Sequence, residues 1–296
     1  MKTFYTIKDT IQYLSSYKEQ SIGFVPTMGF LHEGHLSLVK EAKKENDLVV
    51  MSIFINPLQF GPNEDYEQYP RNEVEDEKKA REEGVDVLFI PSVKEMYPTR
   101  QKISMTFIEG ADVLCGFSRP THFSGVAVVL SKLFHIINPD KAYFGLKDAQ
   151  QFALVYTLIE QLHFQLDLVG LPTIRETDGL ARSSRNVYLN DAEREEAPLL
   201  HQFLNEGLKF IREGMTDARE VEAKVRSLLK NQMPHAEVEY VKILNYPSLE
   251  ETTQINEQII LAAAIKYRQA RLIDNVLILP NGTKQDKITL VNKIKV

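Results

Sequence analysis

Apolar and polar residues form alternating blocks through the first half of the chain. Residues 48–55, LVVMSIFI, are a nearly continuous apolar run rich in β-branched side chains, which is typical of a strand covered on both faces. Blocks with helical spacing lie between such runs, and this alternation predicts βαβ units in a Rossmann-like α/β domain over residues 1–172. The predicted strands are residues 21–25, 48–55, VDVLFIP, KAYFG and QLDLVG, and the predicted helices are residues 35–44, NEVEDEKKAREEG, GVAVVLSKLFHIIN and DAQQFALVYTLIEQLH.

The pattern changes after residue 172. A polar, turn-rich segment, TIRETDGLARSSRNVYLN, is followed by predicted helices at residues 191–212 and 217–231, the first with Asn190 and Glu193 as a capping box. EVEYVKIL, IILAAAIKYR and ARLIDNVLIL then have the character of strands. Helices followed by strands predict a smaller α+β domain over residues 173–296, and the polar residues from 281 onward are expected to form a loose tail.

Composition restricts the class of protein. The 296 residues are 43% hydrophobic and carry a formal net charge of −6, which argues against a nucleic-acid partner held through its phosphates but permits a locally basic pocket for a small anion. The single cysteine, Cys115, excludes an internal disulfide and fits a reducing compartment. The chain shows neither a signal peptide nor an apolar run of about 18 residues. We therefore expect a soluble, cytoplasmic protein without a membrane partner.

The strand-to-helix turn after the first strand contains two histidines, His32 and His35, separated by Glu33 and Gly34. Ligands of parallel sheets bind beyond the carboxyl ends of the strands, and a helix start offers free amides to a phosphate. An imidazole there can donate a hydrogen bond to a phosphate oxygen. A pair of helix-start histidines without a role is the alternative, and a zinc site is weaker still because the spacing is i, i+3.

Three other segments fall at predicted strand ends or at the domain junction. In FGLKDAQQ, Lys147 can reach a phosphate, and Asp148 can cap the next helix or bind a ribose hydroxyl. ARSSRN supplies hydroxyls and a guanidinium for outer phosphates, unless it is only a polar linker. Asn56 and Gln59, in INPLQF, suit the hydroxyl and carboxylate groups of a small substrate, although Asn56 could simply cap a turn. The acidic helix at residues 73–83 is a solvated face, from which Asp76 could contribute to a magnesium site.

The chain resembles the pantothenate synthetase (pantoate–β-alanine ligase) family. The resemblance covers nearly the whole chain and rests on VPTMGFLHEGH, SIFINPLQF, YPR, RPTHFSGV, FGLKDAQQ and DGLARSSRNVYL, in that order. This family belongs to the nucleotidyltransferases related to class I aminoacyl-tRNA synthetases, with HEGH similar to their HIGH-type element and ARSSRN in the place of their KMSKS-type loop. The resemblance implies that ATP and pantoate form pantoyl adenylate, which β-alanine converts to pantothenate and AMP. It also implies Mg²⁺ and a homodimer.

The resemblance also implies roles for individual residues. His35 would be the proton donor, and Gln59 and Gln151 would hold pantoate, with Gln59 near the path of β-alanine. Leu146 and Arg182 depart from the residues usual in the family and would meet ATP through their backbones. The implied ATP site comprises Met28, Gly29, Phe30, Leu31, His32, Glu33, Gly34, His35, Gly145, Leu146, Lys147, Asp148, Ile174, Arg182, Ser183, Ser184 and Arg185. The implied catalytic residues are His32, His35, Lys147, Ser183, Ser184 and Arg185, and the remaining substrate-binding residues are Asn56, Arg119 and His122.

Two other functions stay open at this point. One is another HIGH-type nucleotidyltransferase, which would transfer a cytidylyl or adenylyl group and retain the nucleotide in its product. The other is a non-catalytic nucleotide sensor or scaffold, which would bind ATP without substrate-dependent release of pyrophosphate. In an enzyme that makes an adenylate, we expect the loop carrying Ser183, Ser184 and Arg185 to close over ATP and exclude water.

Overall fold

A seven-stranded sheet forms the first part of the molecule. The structure is a computed structural model that describes residues 1–62 and 64–291. The strand order is β1-β4-β3-β2-β5-β6-β10, and every pairing is parallel except that of β10 with β6. The predicted parallel sheet is thus confirmed. Its strands are β1 (Lys2–Phe4), β2 (Ile22–Thr27), β3 (Leu48–Ile53), β4 (Val87–Phe89), β5 (Lys141–Gly145), β6 (Asp167–Leu171) and β10 (Ile288–Leu290).

Helices cover both faces of this sheet, as the two-sided burial of β3 requires. The core on one face includes apolar residues of α6 and α7, and the core on the other includes Leu38, Val39 and Ala42 of α2 together with Ala80 of α3. The helices are α1 (Ile7–Leu14), α2 (Glu33–Glu45), α3 (Glu73–Glu82), α4 (Val93–Met96), α5 (Leu114–Ser118), α6 (His122–Ile137), α7 (Ala149–Gln161), α8 (Asp191–Glu196), α9 (Leu199–Arg212) and α10 (Ala218–Gln232).

The second sheet is antiparallel and has the order β7 (Glu237–Asn245), β8 (Ile259–Lys266) and β9 (Arg271–Ile278). Side chains of β8 alternate between two cores. Ile259 and Leu261 belong to the core shared with α9 and α10, whereas Ile260 and Ala262 belong to a core that also contains α6 and α7. Burial on both faces explains the uninterrupted apolar sequence of β8 and fixes the second sheet against the first.

Two sequence-based expectations are wrong. The helix predicted at residues 191–212 is divided into α8 and α9 near Pro198, which lacks a backbone N–H and occupies the N-cap of α9. The expected loose tail is ordered at residues 288–290, where β10 pairs with β6, and its residues 292–296 lie outside the described part of the chain. The capping box of Asn190 and Glu193 is confirmed. The division of the chain into two domains at residue 172 stays a prediction. β10 belongs to the C-terminal part by sequence but pairs with β6 of the first sheet.

The order of the strands places a crevice at one edge of the large sheet. β2 pairs with β3 on one side and with β5 on the other, so the chain changes direction across the sheet between β2 and β5. Ligands of doubly wound sheets bind beyond the carboxyl ends of the strands at such a switch point. Among the described residues, no helix combines the length and the apolar character needed to span a membrane.

Candidate active site

A cavity of about 250 Å³ lies at this switch point. It brings together most of the residues that the sequence analysis assigned to the ATP and substrate sites. The predicted residues that line it are Met28, His32, Gly34, His35, Gln59, Arg119, His122, Gly145, Lys147, Asp148, Gln151, Ile174, Arg182, Ser183, Ser184 and Arg185. The predicted residues that do not line it are Gly29, Phe30, Leu31, Glu33, Asn56, Asp76 and Leu146.

His32 and His35 stand side by side at the start of α2, with ring centroids 4.0 Å apart. The Nδ1 atom of His32 accepts a hydrogen bond from the Gly34 amide at 3.1 Å, and the Nδ1 atom of His35 accepts one from the His32 amide at 3.3 Å. Because each Nδ1 is an acceptor, each neutral ring carries its proton on Nε2. A Cβ on Gly34 would lie only 2.8 Å from the His32 ring, so glycine is needed for this arrangement.

The two histidines are neutral at physiological pH. Burial, followed by the charge of Lys147, lowers the pKa of His32 to about 4. Burial and the neighbouring His32 hold the pKa of His35 well below its usual range. A neutral ring still donates a hydrogen bond from Nε2. The arrangement therefore favours hydrogen bonding by His35 over the transfer of a proton from an imidazolium.

The turn between β2 and these histidines is anchored by Asp76 of α3. Its Oδ2 accepts a hydrogen bond from the Phe30 amide at 2.8 Å, and its Oδ1 accepts one from the Leu31 amide at 2.6 Å. Gly29 and Phe30 have φ angles of 80° and 51°, so the carboxylate holds a backbone conformation that a phenylalanine rarely adopts.

These contacts contradict the predicted role of Asp76 in magnesium binding. The side chain is 2% exposed, and both of its oxygens accept amide hydrogen bonds. Within residues 1–62 and 64–291, no three His, Cys, Asp or Glu side chains come together in a way that could hold a metal ion. Asp76 therefore supports the turn, and the described residues supply no metal cage of their own at this site.

Asn56 fixes the side chain of Gln59 and does not face the cavity. Its Nδ2 donates to the Gly125 carbonyl at 3.0 Å and to Gln59 Oε1 at 3.1 Å. Its Oδ1 accepts from the Leu58 amide at 3.2 Å and from the Tyr97 hydroxyl at 2.9 Å. The predicted substrate contact of Asn56 is thus wrong, since the side chain is 0% exposed. With Oε1 of Gln59 occupied, its Nε2 is left as the donor for a substrate oxygen.

Arg119 and His122 hold the backbone of Gln59. The Gln59 carbonyl accepts hydrogen bonds from Arg119 Nη2 at 3.1 Å and from His122 Nδ1 at 2.9 Å. Burial and then the charge of Arg119 lower the pKa of His122 to about 4, so this ring is also neutral. Arg119 in turn forms an ion pair with Glu64. Both side chains wall the cavity, as expected, and they also support the residue predicted to bind pantoate.

The turn after β5 places Lys147 and Asp148 at the cavity. Leu146 is 3% exposed and is absent from the cavity wall, and its carbonyl, like that of Lys147, accepts a 2.9 Å hydrogen bond from Asn275 Nδ2. The Leu146 carbonyl is therefore engaged by the protein, and the expected backbone contact of Leu146 with ATP stays a prediction. Asp148 is the N-cap residue of α7, but its side chain makes no capping hydrogen bond, so the capping alternative is wrong and the contact with a ribose hydroxyl stays a prediction.

The loop with Arg182 and Arg185 closes the other side of the cavity. Arg185 makes a two-pronged contact with Asp65, Nε to Oδ2 at 3.1 Å and Nη2 to Oδ1 at 3.0 Å. Nη1 of Arg182 lies 3.0 Å from Glu176 Oε1 and 3.4 Å from Glu33 Oε2. Ser183 caps the following short helix by accepting the Arg185 amide.

Sequence reasoning missed the carboxylates that hold these arginines and the amide of Asn275. Asp65 lies in the segment that follows β3, so its position beyond a predicted strand end was a signal that it could lie near the site. Asn275 lies 128 positions from Lys147, and no local pattern connects them.

The fold and a cavity where imidazole and cationic groups converge define the class, an α/β enzyme with its site at the switch point of a parallel sheet. The family model for pantoate-beta-alanine ligase matches residues 2–277. A pantothenate synthetase of Bacillus pumilus is 55% identical over 262 residues, which are 88% of this chain and 90% of that protein. One from Geobacillus sp. is 51% identical over 272 residues, or 91% of this chain and 96% of that protein.

Solved structures agree with the sequence relatives. The pantothenate synthetase of Thermus thermophilus superimposes with a TM-score of 0.88 at 39% identity, covering 93% of this chain and 99% of that one. A pantoate-beta-alanine ligase of Francisella tularensis, complexed with beta-gamma ATP and β-alanine, gives a TM-score of 0.76 at 37% identity over 94% of this chain and 97% of that one. This chain belongs to the pantoate–β-alanine ligase family and is a ligase that forms a carbon–nitrogen bond.

Proposed function

We propose that the chain condenses pantoate with β-alanine by way of a pantoyl adenylate formed in the cavity at the switch point. The observation that carries this proposal is the convergence of the neutral His32 and His35 with Lys147 and Arg185 on one cavity. Family membership supports the overall reaction, which consumes ATP and releases AMP and pyrophosphate. The relative with bound beta-gamma ATP and β-alanine supports the choice of ligands.

In the first step, a carboxylate oxygen of pantoate attacks the α-phosphorus of ATP, and the bond to pyrophosphate breaks. Negative charge grows on the leaving group, and donors that are already in place stabilise it best. We assign this task to the Nε2–H groups of His32 and His35 and to the cations of Lys147 and Arg185, with Ser183 and Ser184 as hydroxyl donors. No covalent bond to the protein is needed.

In the second step, the neutral amine of β-alanine attacks the activated carbonyl carbon, the carbon–oxygen bond to AMP breaks, AMP leaves with the bonding electrons, and the nitrogen gives up one proton to water as the amide forms. Pantoate must stay in place between the two steps. We assign that task to Gln151 and to Gln59, whose Nε2 is left as the donor after Asn56 engages its Oε1. Arg119 and His122 contribute by holding the Gln59 backbone.

Magnesium, in this proposal, accompanies the phosphates of ATP. Mg²⁺ in nucleotide sites commonly takes one or two carboxylates and completes its shell with water and phosphate oxygens. That mode agrees with the lack of a metal-ligand cluster among the described residues. The homodimer, which rests on the family resemblance, is a further part of the proposal. So are the cytoplasmic location, which rests on composition, and the closing of the loop with Ser183, Ser184 and Arg185, which would exclude water from the adenylate.

Isotope exchange between ATP and pyrophosphate tests the adenylate step. With magnesium and pantoate present and no amine, we expect exchange that depends on pantoate. Addition of β-alanine should then give AMP and an amide in equal amounts. Formation of ADP without exchange would mean phosphoryl transfer and would contradict the proposal. A product that retains the nucleotide would instead indicate another nucleotidyltransferase.

A further inference from the structure

Two adjacent residues of β9 reach the two loops that bring cations to the cavity. Asn275 donates from Nδ2 to the carbonyls of Leu146 and Lys147, both at 2.9 Å. Asp274 accepts from both terminal nitrogens of Arg175, at 2.6 and 2.9 Å. Asp274 is 3% exposed and Asn275 is 8% exposed, and neither lines the cavity that contains the histidines. Both line an adjoining cavity of about 480 Å³ that shares Lys147 and Arg185 with the first, and their hydrogen bonds reach the site through Lys147 and Arg175.

Asn275 satisfies the two backbone carbonyls of the turn after β5 that would otherwise lack a donor. An amide nitrogen has two hydrogens, and the two carbonyls of the turn take one each. The same turn receives no side-chain cap from Asp148. A buried carbonyl without a donor is unfavourable, so loss of this amide would let the turn move towards water. The position of Lys147 thus depends on a side chain of the second sheet.

Asp274 fixes the second loop at its start. Arg175 pairs with Ala181 across a backbone bridge and donates from Nη1 to the Gly179 carbonyl at 3.1 Å. The Arg182 amide then donates to the Ile174 carbonyl at 2.9 Å. The ion pair of Arg175 with Asp274 is therefore the point from which the loop extends to Arg182 and Arg185.

The carboxylate of Asp274 is charged. Burial alone would raise its pKa, but the contacts with His201 and Arg175 hold the pKa below its usual value. His201 Nδ1 lies 3.4 Å from Asp274 Oδ2, and Asn205 Nδ2 lies 3.0 Å from His201 Nε2. At that separation His201 Nδ1 makes no hydrogen bond to the carboxylate. The hydrogen bonds that hold the carboxylate come from Arg175 and from the Asn275 amide.

We propose that Asp274 and Asn275 are positioning residues for the ATP-dependent step. By anchoring the turn of Lys147 and the loop of Arg182 and Arg185 to neighbouring positions of one strand, they fix the spacing of the cations that meet the phosphates. This inference rests on the proposed function of the cavity. It assigns to the second sheet a part in catalysis that is exerted through the hydrogen bonds of Asn275 and Asp274 to the two loops.

The first test replaces Asn275 by alanine and by serine. A small displacement of a catalytic group can lower turnover by about 100-fold, so we expect Asn275→Ala to lower kcat for AMP formation by about 10- to 100-fold. Asn275→Ser keeps one donor and should lose less. The KM for pantoate should change less than kcat does, because Gln59 follows β3 and is held by Asn56, Arg119 and His122 rather than by this turn. If the alanine variant does not fold, the serine variant is compared with the unchanged chain alone.

Glu222→Ala is the matched control. Glu222 accepts a hydrogen bond from the Ile243 amide at 2.7 Å and so joins α10 to β7, a strand of the same sheet as β9. It does not line the cavity. Its removal should lower the melting temperature while leaving kcat unchanged. If Asn275→Ser or Asn275→Ala behaves like this control, losing stability but keeping kcat, the positioning role is wrong.

A double-mutant cycle separates positioning from general destabilisation. If Asn275 acts through Lys147, Asn275→Ala should weaken ATP binding strongly in the unchanged chain and by less than about twofold in the Lys147→Ala background. Calorimetry with ATP and magnesium measures both. Equal effects in the two backgrounds would overturn the proposal. Failure of the proposed function is distinguishable, because the unchanged chain itself would then show no pantoate-dependent exchange.

Discussion

Two strand-to-helix turns deliver donors to the same cavity, and they are anchored in opposite ways. The turn after β2 leaves the amides of Phe30 and Leu31 to be satisfied, and a carboxylate, Asp76, accepts from both. The turn after β5 leaves two carbonyls, and an amide, Asn275, donates to both. The chemistry of each anchor is thus set by the backbone groups that its turn leaves without a partner.

The anchors also differ in where they come from. Asp76 lies on α3, beside the same large sheet, whereas Asn275 belongs to the antiparallel sheet. The first turn contains Phe30 at φ 51°, a conformation that costs of the order of 1–2 kcal/mol in a residue with a side chain, and a charged acceptor offsets that cost. The turn that carries the histidines is thus anchored by a helix beside the first sheet, whereas the turn that carries Lys147 is anchored by the second sheet.

The largest effect should come from removing the donor at the end of the first turn. We expect His35→Ala to keep the fold but to lower kcat by about 100- to 1,000-fold, the usual result of removing one donor to a developing charge. AMP formation with saturating substrates measures this, and circular dichroism checks the fold. His135→Ala, on the exposed side of α6, is the control. Near-normal turnover of His35→Ala would refute the role given to this histidine.

Removing the anchor of the first turn should have an intermediate effect. Asp76→Asn places an N–H₂ group against one of two backbone amides, so we expect a loss of about 1.5–3 kcal/mol in the free energy of unfolding, together with a lower kcat. Urea denaturation measures the loss. Glu75→Gln, one position earlier on α3 and more exposed, should change stability little. If Asp76→Asn is as stable as Glu75→Gln, the anchor adds nothing to the turn.

The smallest effect should appear in the electrostatic coupling of the two turns. Lys147, on the second turn, adds to burial in lowering the pKa of His32, on the first, to about 4. We therefore expect Lys147→Gln to raise the pKa of His32 while leaving it below 6.5, since burial remains. Titration of the imidazole by NMR measures this shift. An unchanged pKa would mean that the two turns do not influence each other through charge.

The same shifts determine the sign of the pH dependence of stability. Burial lowers the pKa values of His32 and His122 to about 4 in the folded chain, whereas the pKa of an unfolded histidine is about 6.5. Between these values the unfolded state binds protons that the folded state does not, so the free energy of unfolding falls as the pH is lowered from about 6.5 to about 4. Above a pH of about 6.5 these histidines contribute no further change.

Much of the fold followed from local patterns. The apolar run at residues 48–55 predicted a strand buried on both faces, and β3 is such a strand. The helix break at Pro198 had a local signal, the proline inside the predicted helix, and was missed because the helical spacing continues past it. The pairing of β10 was missed because a three-residue strand within a polar segment gives a weak local signal. The placement of His32, Lys147 and Arg185 at one cavity was predicted from strand ends and from the family resemblance, and the structure brings them together.

The sequence by itself determined the alternation of strands and helices, the residues that follow each strand, and hence the chemical groups available at the edge of the sheet. Hydrophobic spacing and turn residues are local properties, so they can be read along the chain. Tertiary structure alone decided which groups face the cavity and which support it. It turned Asp76 and Asn56 inward and paired Arg185 with Asp65. It also linked Asn275 to Lys147, because a buried polar group must find a partner wherever the fold supplies one.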